Sequence, residues 1–375
     1  MAAQASLSAI LTVFALAACL VICLSAESMG RKLGVMDYPD NLRKNHSRST
    51  PLMGGIAILA SAAIWLVAGM AAGGFFPSQL GLALLLPMVG VGLVGFVDDQ
   101  RSVAPVSRIL FILVFLAVAF VIDPAAIAGA LNWGSFDPTP IPAYVFCALM
   151  ALSAVGVVNA VNMADGQNGI VPGMFVIWSA CLILVGDANV KALAEVLCGA
   201  SVIVLIFNLR GKLFLGDSGA YGVTFVFGLA TMFAYAEGRV SIETIFVWFF
   251  IPVVDCLRLL FTRPLRGHSP MEADHDHFHH RLQEEFGPRY GLIAYVSVVA
   301  LSSLMATLAP HLALVCIIIL TAYYFSFASL AESVAESGLK SQSPEAPEPD
   351  ESGNVISLPS QERPFKRRHI QNKQP

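Results

Sequence analysis

Carboxylates and amides gather where apolar runs end. Asp98 and Asp99 close the run that finishes in GFVDDQRSV, residues 95–103, and Asn159, Asn162 and Asp165 run through NAVNMADGQNGI, residues 159–170. Two adjacent carboxylates at the C-terminal end of a helix are disfavoured twice, by mutual repulsion and by the negative end of the helix dipole. A bound cation offsets that cost better than solvation or pairing with Arg101. Neighbouring helix residues diverge by about 100°, so one Asp can face a pocket while the other supports it. The i, i+3, i+6 spacing of Asn159, Asn162 and Asp165 puts all three on one face of a continuing helix. That face is either an interhelical hydrogen-bond ladder or the wall of a site. Gly166 and Gly169 then let the chain turn.

Three further stretches supply charge. In FNLRGKLFLGDSGA, residues 207–220, Asp217 stands between Gly216 and Ser218-Gly219 at a helix entrance. It reads either as a cap or as part of an anion site, because such an entrance leaves backbone N–H groups free for phosphate. DYPDNLRKNHSRSTPLMGG, residues 37–55, sets Arg43, Lys44, His46 and Arg48 before an apolar run, with Pro51 at a helix start and Gly54 and Gly55 allowing close approach. PVVDCLRLLFTRPLRGHSPMEADHDHFHHRL, residues 252–282, holds His268, His275, His277, His279 and His280 among Arg258, Arg263, Arg266 and Arg281. A transition-metal site is a poor match for those arginines, which repel cations and pair with phosphate. Carboxylates without thiolates suit Mg2+ or Mn2+, and the basic collar suits a polyanion. The chemistry implied is phosphoryl transfer.

The elements that must position these groups are apolar throughout. Of 375 residues, 56% are hydrophobic and only 13% charged, and the mean hydropathy is +0.71; a soluble surface needs far more charge. Eleven apolar runs, near 6–26, 52–72, 79–97, 106–122, 141–158, 170–186, 190–207, 220–236, 241–258, 290–309 and 311–330, are each expected to cross a bilayer as a helix. The first lacks a basic leading segment and is read as a retained helix. Of the 22 Lys and Arg, only Lys191 and Arg239 fall on one side of that arrangement. Positive residues stay cytoplasmic, so the N-terminus is expected outside and the C-terminus inside. The polar stretches then share the cytoplasmic face. The seven cysteines lie in or beside apolar runs and read as packing residues. A membrane domain over 1–330 is expected to be followed by a disordered tail over 331–375, rich in Pro, Ser and Glu and ending in a basic patch.

In five motifs, RKNH…TPLMGG, GFVDD, NAVNMADG, FLGDSG and HFHHRL, the sequence resembles the polyprenyl-phosphate N-acetylhexosamine-1-phosphate transferases, and WecA-like members more than MraY-like ones. The resemblance spans about 27–290 and implies an all-α polytopic enzyme of the bacterial inner membrane with its site facing the cytoplasm. It implies transfer of N-acetylhexosamine 1-phosphate, GlcNAc-1-phosphate first, from a UDP-N-acetylhexosamine to undecaprenyl phosphate. UMP leaves, and the product starts a cell-envelope polysaccharide. By the same resemblance the catalytic residues are Asp98, Asp99, Asp165 and His279, and Asp217 with Asp98 holds Mg2+, for which Mn2+ can substitute. Lys44, His46, Asn159, Asn162, Asn168, Arg266, His277 and His280 contact substrate. The expected partners are the UDP-sugar, the lipid phosphate, the bilayer and a second copy of the chain, with no nucleic acid. Two other readings stand beside this one: an MraY-like enzyme using a peptide-bearing muramyl nucleotide, and a metal-ion or proton transporter. The latter expects acidic residues deep within spans.

The sequence departs from the family's DGxDG at one position, where Asn168 replaces the second Asp. An amide donates and accepts hydrogen bonds, whereas a carboxylate only accepts. Asn168→Asp is therefore expected to alter KM or the ranking among UDP-sugar donors. Steady-state kinetics with several donors test this, and a change confined to kcat and its pH profile would place Asn168 in the catalytic charge cluster instead.

Overall fold

The computed structural model describes residues 2–39, 48–72, 76–124, 143–265, 267, 269 and 276–341. The chain divides into two compact units, Met1–Ala328 and Ser329–Pro375. The apolar runs are helices: α1 (Ala2–Leu24), α3 (Gly54–Ala71), α4 (Ser78–Gln100), α5 (Pro105–Ile122), α6 (Ala143–Ala164), α7 (Ile170–Val185), α8 (Ala188–Leu209), α9 (Thr224–Ala236), α10 (Ile242–Leu265), α11 (Phe278–Leu308) and α12 (Ala313–Ser341), with a short α2 (Ala26–Leu33) after α1. The all-α polytopic expectation holds. Among the described residues, ten helices are long and apolar enough to cross a membrane. The run at 170–186 falls short of that length, because α7 has only 16 residues.

Other boundaries also move. The helix expected over 290–309 begins at Phe278, so all of HFHHRL after its cap residue His277 is helical. Gly287 (φ 78°, ψ 164°) followed by Pro288 kinks it, and the polar first segment hides it from a hydropathy reading. α10 runs on to Leu265, which makes Arg258 and Arg263 helical. α12 continues to Ser341, past the change of composition at 330. A π-helical turn, Gly219–Val223, precedes α9.

Helix α7 nonetheless matches α8 end to end. The two are joined by Gly186 and Asp187, and Asp187 caps α8 by accepting from the Val190 N–H at 2.8 Å. At the far end, Asn208 Oδ1 accepts from the Gly169 N–H at 2.7 Å. The Asn208 amide also donates to Leu213 O at 3.1 Å and to Asn168 Oδ1 at 3.4 Å. One buried side chain thus ties together the start of α7, the end of α8 and the loop beyond.

That loop is held by backbone pairing. Strand β1 (Met36–Asp37) pairs antiparallel with β2 (Thr50–Pro51), and Leu52 bridges to Phe214 in parallel. Phe214 N–H donates to Pro51 O at 2.9 Å. Gly54 N–H donates to Phe214 O at 2.9 Å, and Gly55 N–H to Leu215 O at 2.7 Å, so donors from the first turn of α3 find partners outside the helix. Gly55 lies directly against Gly219: a Cβ there would sit 2.0 Å from the Gly219 nitrogen. A Cβ on Gly95 of α4 would sit 2.3 Å from the Asp217 carbonyl oxygen. The segment 214–219 is therefore clamped between α3 and α4, backbone to backbone.

Gly55→Ala is expected to force that clamp open and cost about 1–3 kcal/mol, as overpacking does. Gly156→Ala, inside α6 where an added Cβ meets nothing within 4 Å, should instead be neutral or stabilise by up to about 1 kcal/mol. Melting temperatures of the two variants in detergent provide the comparison.

Candidate active site

The clamp delivers Asp217 to the end of α4, where Asp98 and Asp99 do different things. Asp99 Oδ1 accepts from the Asp217 N–H at 2.8 Å, and its Oδ2 from the Ser218 N–H at 3.1 Å. The anion at this helix entrance is thus Asp99 itself. These N–H groups are neither left for phosphate nor capped by Asp217, as the sequence alone suggested. Gly216, at φ 77°, turns the chain here in a conformation that side chains resist, and a Cβ would meet Asp99 Oδ2 at 2.9 Å.

Asp98 diverges from Asp99, as neighbouring helix positions must. Its Oδ1 accepts from the Val103 N–H at 2.7 Å, and its Oδ2 from Arg108 Nη1 at 3.1 Å and the Tyr221 hydroxyl at 2.8 Å. The pairing cation is Arg108 of α5, not Arg101. Arg108 Nη1 also lies 2.6 Å from the Tyr221 hydroxyl, and Asn162 Nδ2 lies 3.5 Å from it. The buried Tyr221, 2% exposed, therefore joins α4, α5, α6 and the turn after Asp217 through one oxygen.

The fourth carboxylate, Asp165, follows directly on α6. That helix ends at Ala164, and Asp165 N–H turns back to Asn162 O at 3.2 Å, so the three-residue polar face does not continue. Asn159 donates its amide to Val155 O at 2.7 Å, within its own helix. Burial pushes the Asp165 carboxyl well above the ordinary range, and the charges on Asp217 and Asp99 push the same way. Asp217 is pushed up to about 7, first by burial, then by Asp99 and Asp98, with Arg108 opposing. Four carboxylates thus share one electrostatic neighbourhood. Among the described residues no three His, Cys, Asp or Glu side chains form a ready-made metal site.

The histidines close the other side. A Cβ on Gly166 would lie 2.3 Å from His279 Nε2, so the turn after Asp165 rests on that ring. Gln283 Nε2 donates to Gln167 Oε1 at 2.6 Å, and Gln167 Nε2 to Pro288 O at 2.9 Å, fastening the turn to α11. The His277 and His279 rings stack at 5.4 Å with 14° between planes, and His280 lies 4.2 Å from His279 between ring centroids. His277 Nδ1 sits 3.0 Å from Asp255 Oδ2. Asp276, at the start of α11, is held below the usual carboxylate range by Arg281 and Arg258, against its burial.

The site thus brings together Asp98, Asp99, Asn162, Asp165, Asp217, His277, His279 and His280. Asn168 sits at the Asn208 junction, and Asn159 bonds within its own helix. Lys44, His46 and Arg266 lie outside the described residues. Sequence reasoning missed Arg108, Tyr221, Asn208 and Asp255. Asp255 and Asn208 carried a usable signal, an acid and an amide inside apolar runs. Tyr221 carried none.

A bundle of apolar helices with carboxylates, amides and histidines meeting among their termini is the architecture of a polytopic membrane protein with one polar site. The model of glycosyl transferase family 4 matches residues 81–235, which include Asp98, Asp99, Asp165 and Asp217. Curated relatives agree. The chain is 28% identical over 267 residues to the undecaprenyl-phosphate alpha-N-acetylglucosaminyl 1-phosphate transferase of Salmonella typhi, covering 68% of this chain and 71% of that one. It is 25% identical over 301 residues to the Escherichia coli K12 protein of the same name, covering 76% and 79%. Identity to the probable undecaprenyl-phosphate N-acetylglucosaminyl 1-phosphate transferase of Bacillus subtilis is 25% over 275 residues, covering 70% and 74%.

The opposite roles of Asp99 and Asp217 predict opposite effects on stability. Asp99→Asn leaves two backbone donors facing one acceptor, and should lower the melting temperature by the equivalent of about 1–3 kcal/mol. Asp217→Asn removes a repelled carboxylate. Because the folded pKa is raised, ionising Asp217 destabilises the fold progressively from about pH 4, the unfolded value, up to about 7. The stabilisation by Asp217→Asn should therefore be absent near pH 4, grow up to pH 7 and level off above. Melting curves without divalent cation across that range check both signs.

Proposed function

We propose that this protein transfers N-acetylglucosamine 1-phosphate from UDP-N-acetylglucosamine to undecaprenyl phosphate, releasing UMP and starting a cell-envelope glycan. The observation that carries this reading is the meeting of Asp98, Asp165 and Asp217 with His277 and His279 at one end of an apolar bundle. The names of the relatives supply the acceptor lipid and the sugar. The bundle lies in the bacterial inner membrane, with eleven crossings, the N-terminus outside and the tail inside. The Lys and Arg distribution supports that orientation, and the end-to-end match of α7 with α8 supports counting α7 as a crossing.

In the reaction an oxygen of the lipid phosphate attacks the β-phosphorus of the UDP-sugar. The bond from that phosphorus to the α–β bridging oxygen breaks, and UMP leaves with the electron pair. The donor set suits Mg2+, which takes one or two carboxylates and completes its shell with water and substrate phosphate oxygens. Asp217, with Asp98 and Asp165 beside it, would hold that ion, which neutralises charge on the diphosphate when bound. Asp98, fixed by Arg108 and Tyr221, orients the lipid phosphate. Asp99 is a positioning residue, since both its oxygens are engaged by the loop that carries Asp217. Asn162 and Asn168 border the nucleotide, and His277, His279 and His280 face the diphosphate. Lys44, His46 and Arg266 are assigned to substrate by the sequence resemblance alone.

Membranes containing the protein, given labelled UDP-N-acetylglucosamine, undecaprenyl phosphate and Mg2+, are expected to yield a labelled lipid. EDTA should abolish the product, and Mg2+ or Mn2+ should restore it. Asp217→Asn should lose at least about a thousandfold in kcat, the scale on which removal of a charge-stabilising group acts, while remaining folded in the membrane. Near-normal turnover of that variant at saturating Mg2+ would refute the assignment.

A further inference from the structure

We infer that Tyr324, on α12, is a positioning residue for His277 and acts through Asp255. This rests on the transferase reading above, in which His277 faces the diphosphate.

Asp255 lies inside α10 and is buried, 6% exposed. Its Oδ1 accepts from the Tyr324 hydroxyl at 2.7 Å, the Phe278 N–H at 3.1 Å and Arg258 Nη2 at 3.3 Å. Three donors on one oxygen fix the carboxylate plane, leaving Oδ2 facing His277 Nδ1 at 3.0 Å. A histidine that gives its Nδ1 proton to a carboxylate has its tautomer and ring orientation set, and offers Nε2 to whatever stands on the other side. Tyr324 completes the arrangement. It is fully buried, and its hydroxyl accepts from Arg258 Nε at 2.7 Å while donating to Asp255. Arg258 also reaches Asp276, through Oδ2 at 3.1 Å and through the backbone carbonyl, and Arg281 holds Asp276 Oδ1 at 2.5 Å. The residue immediately before His277 is thereby anchored as well. The path from α12 into the site is continuous: Tyr324, Asp255, His277, then the stacked ring of His279 and the turn at Gly166. The site mechanism needs no side chain from α12, yet this helix sets the direction of a substrate-facing imidazole.

Tyr324→Phe tests the inference. It keeps the ring and its packing on Phe278, 4.9 Å away between centroids, and removes only the hydroxyl. The cycle comprises wild type, Tyr324→Phe, His277→Ala and the double variant. It is read as kcat/KM for UDP-N-acetylglucosamine and as the dissociation constant for that nucleotide, which closes the cycle even where His277→Ala has no measurable turnover. Tyr324→Phe should lower kcat/KM by about tenfold in the wild-type background, the scale of one hydrogen bond to a charged group. In the His277→Ala background it should change either readout less than about twofold, because interacting positions are non-additive. An equal loss in both backgrounds, or no loss beside His277, overturns the inference and leaves the transferase reading intact. A folded wild-type protein without transfer overturns the transferase reading itself.

Discussion

The site depends on one carboxylate whose two oxygens are both taken up by backbone N–H groups. Asp99 grips the backbone N–H groups of Asp217 and Ser218, at 2.8 and 3.1 Å, and so fixes a loop from the sequence-distant 207–220 stretch onto the end of α4. An N-terminal helix entrance attracts an anion through its free donors and its dipole. Here the chain supplies that anion internally. The cost is a carboxylate held among others, and it is offset because two charge-assisted hydrogen bonds replace solvation. Close backbone approach is the geometric condition for this grip. Gly55 and Gly95 meet it by leaving room at Gly219 and at the Asp217 carbonyl.

Once the loop is fixed, like charges crowd. Asp217 and Asp165 each feel Asp99, and both are driven toward the neutral form. A cluster that resists ionisation when empty is poised to take up positive charge, which in the proposed reaction arrives with the nucleotide diphosphate. Arg108 supplies part of the counter-charge within the protein and holds Asp98 from one side, while Tyr221 holds it from the other. Across the site the pattern is reversed. Asp255 and Asp276 are surrounded by Arg258, Arg281 and His277, a paired network that orients rather than repels.

Much of this was legible in the sequence because the polar residues interrupt apolar runs, and interruption is costly in a bilayer. The pairs Asp98-Asp99 and Asn162–Asp165, the Gly-flanked Asp217 and the histidine cluster all announced themselves that way. Roles were less legible than positions. Asp98 and Asp99 differ only in direction, and their partners, Tyr221 and the Asp217 backbone, lie more than a hundred residues away. Tyr221 itself looks like any apolar aromatic. Helix limits failed where hydropathy and helicity part company: the polar first turns of α11 are helical without being apolar, and α7, six residues shorter than α8, meets the end of that helix through the Gly169–Asn208 bond.

The central claim is that the transferred group is a sugar 1-phosphate rather than a sugar. Purified protein given undecaprenyl phosphate and UDP-N-acetylglucosamine labelled with 32P at the β-phosphate tests it directly. The account predicts that the β label moves into the lipid, with one equivalent of unlabelled UMP released per lipid formed. Label retained in released UDP, with only the sugar reaching the lipid, would contradict it.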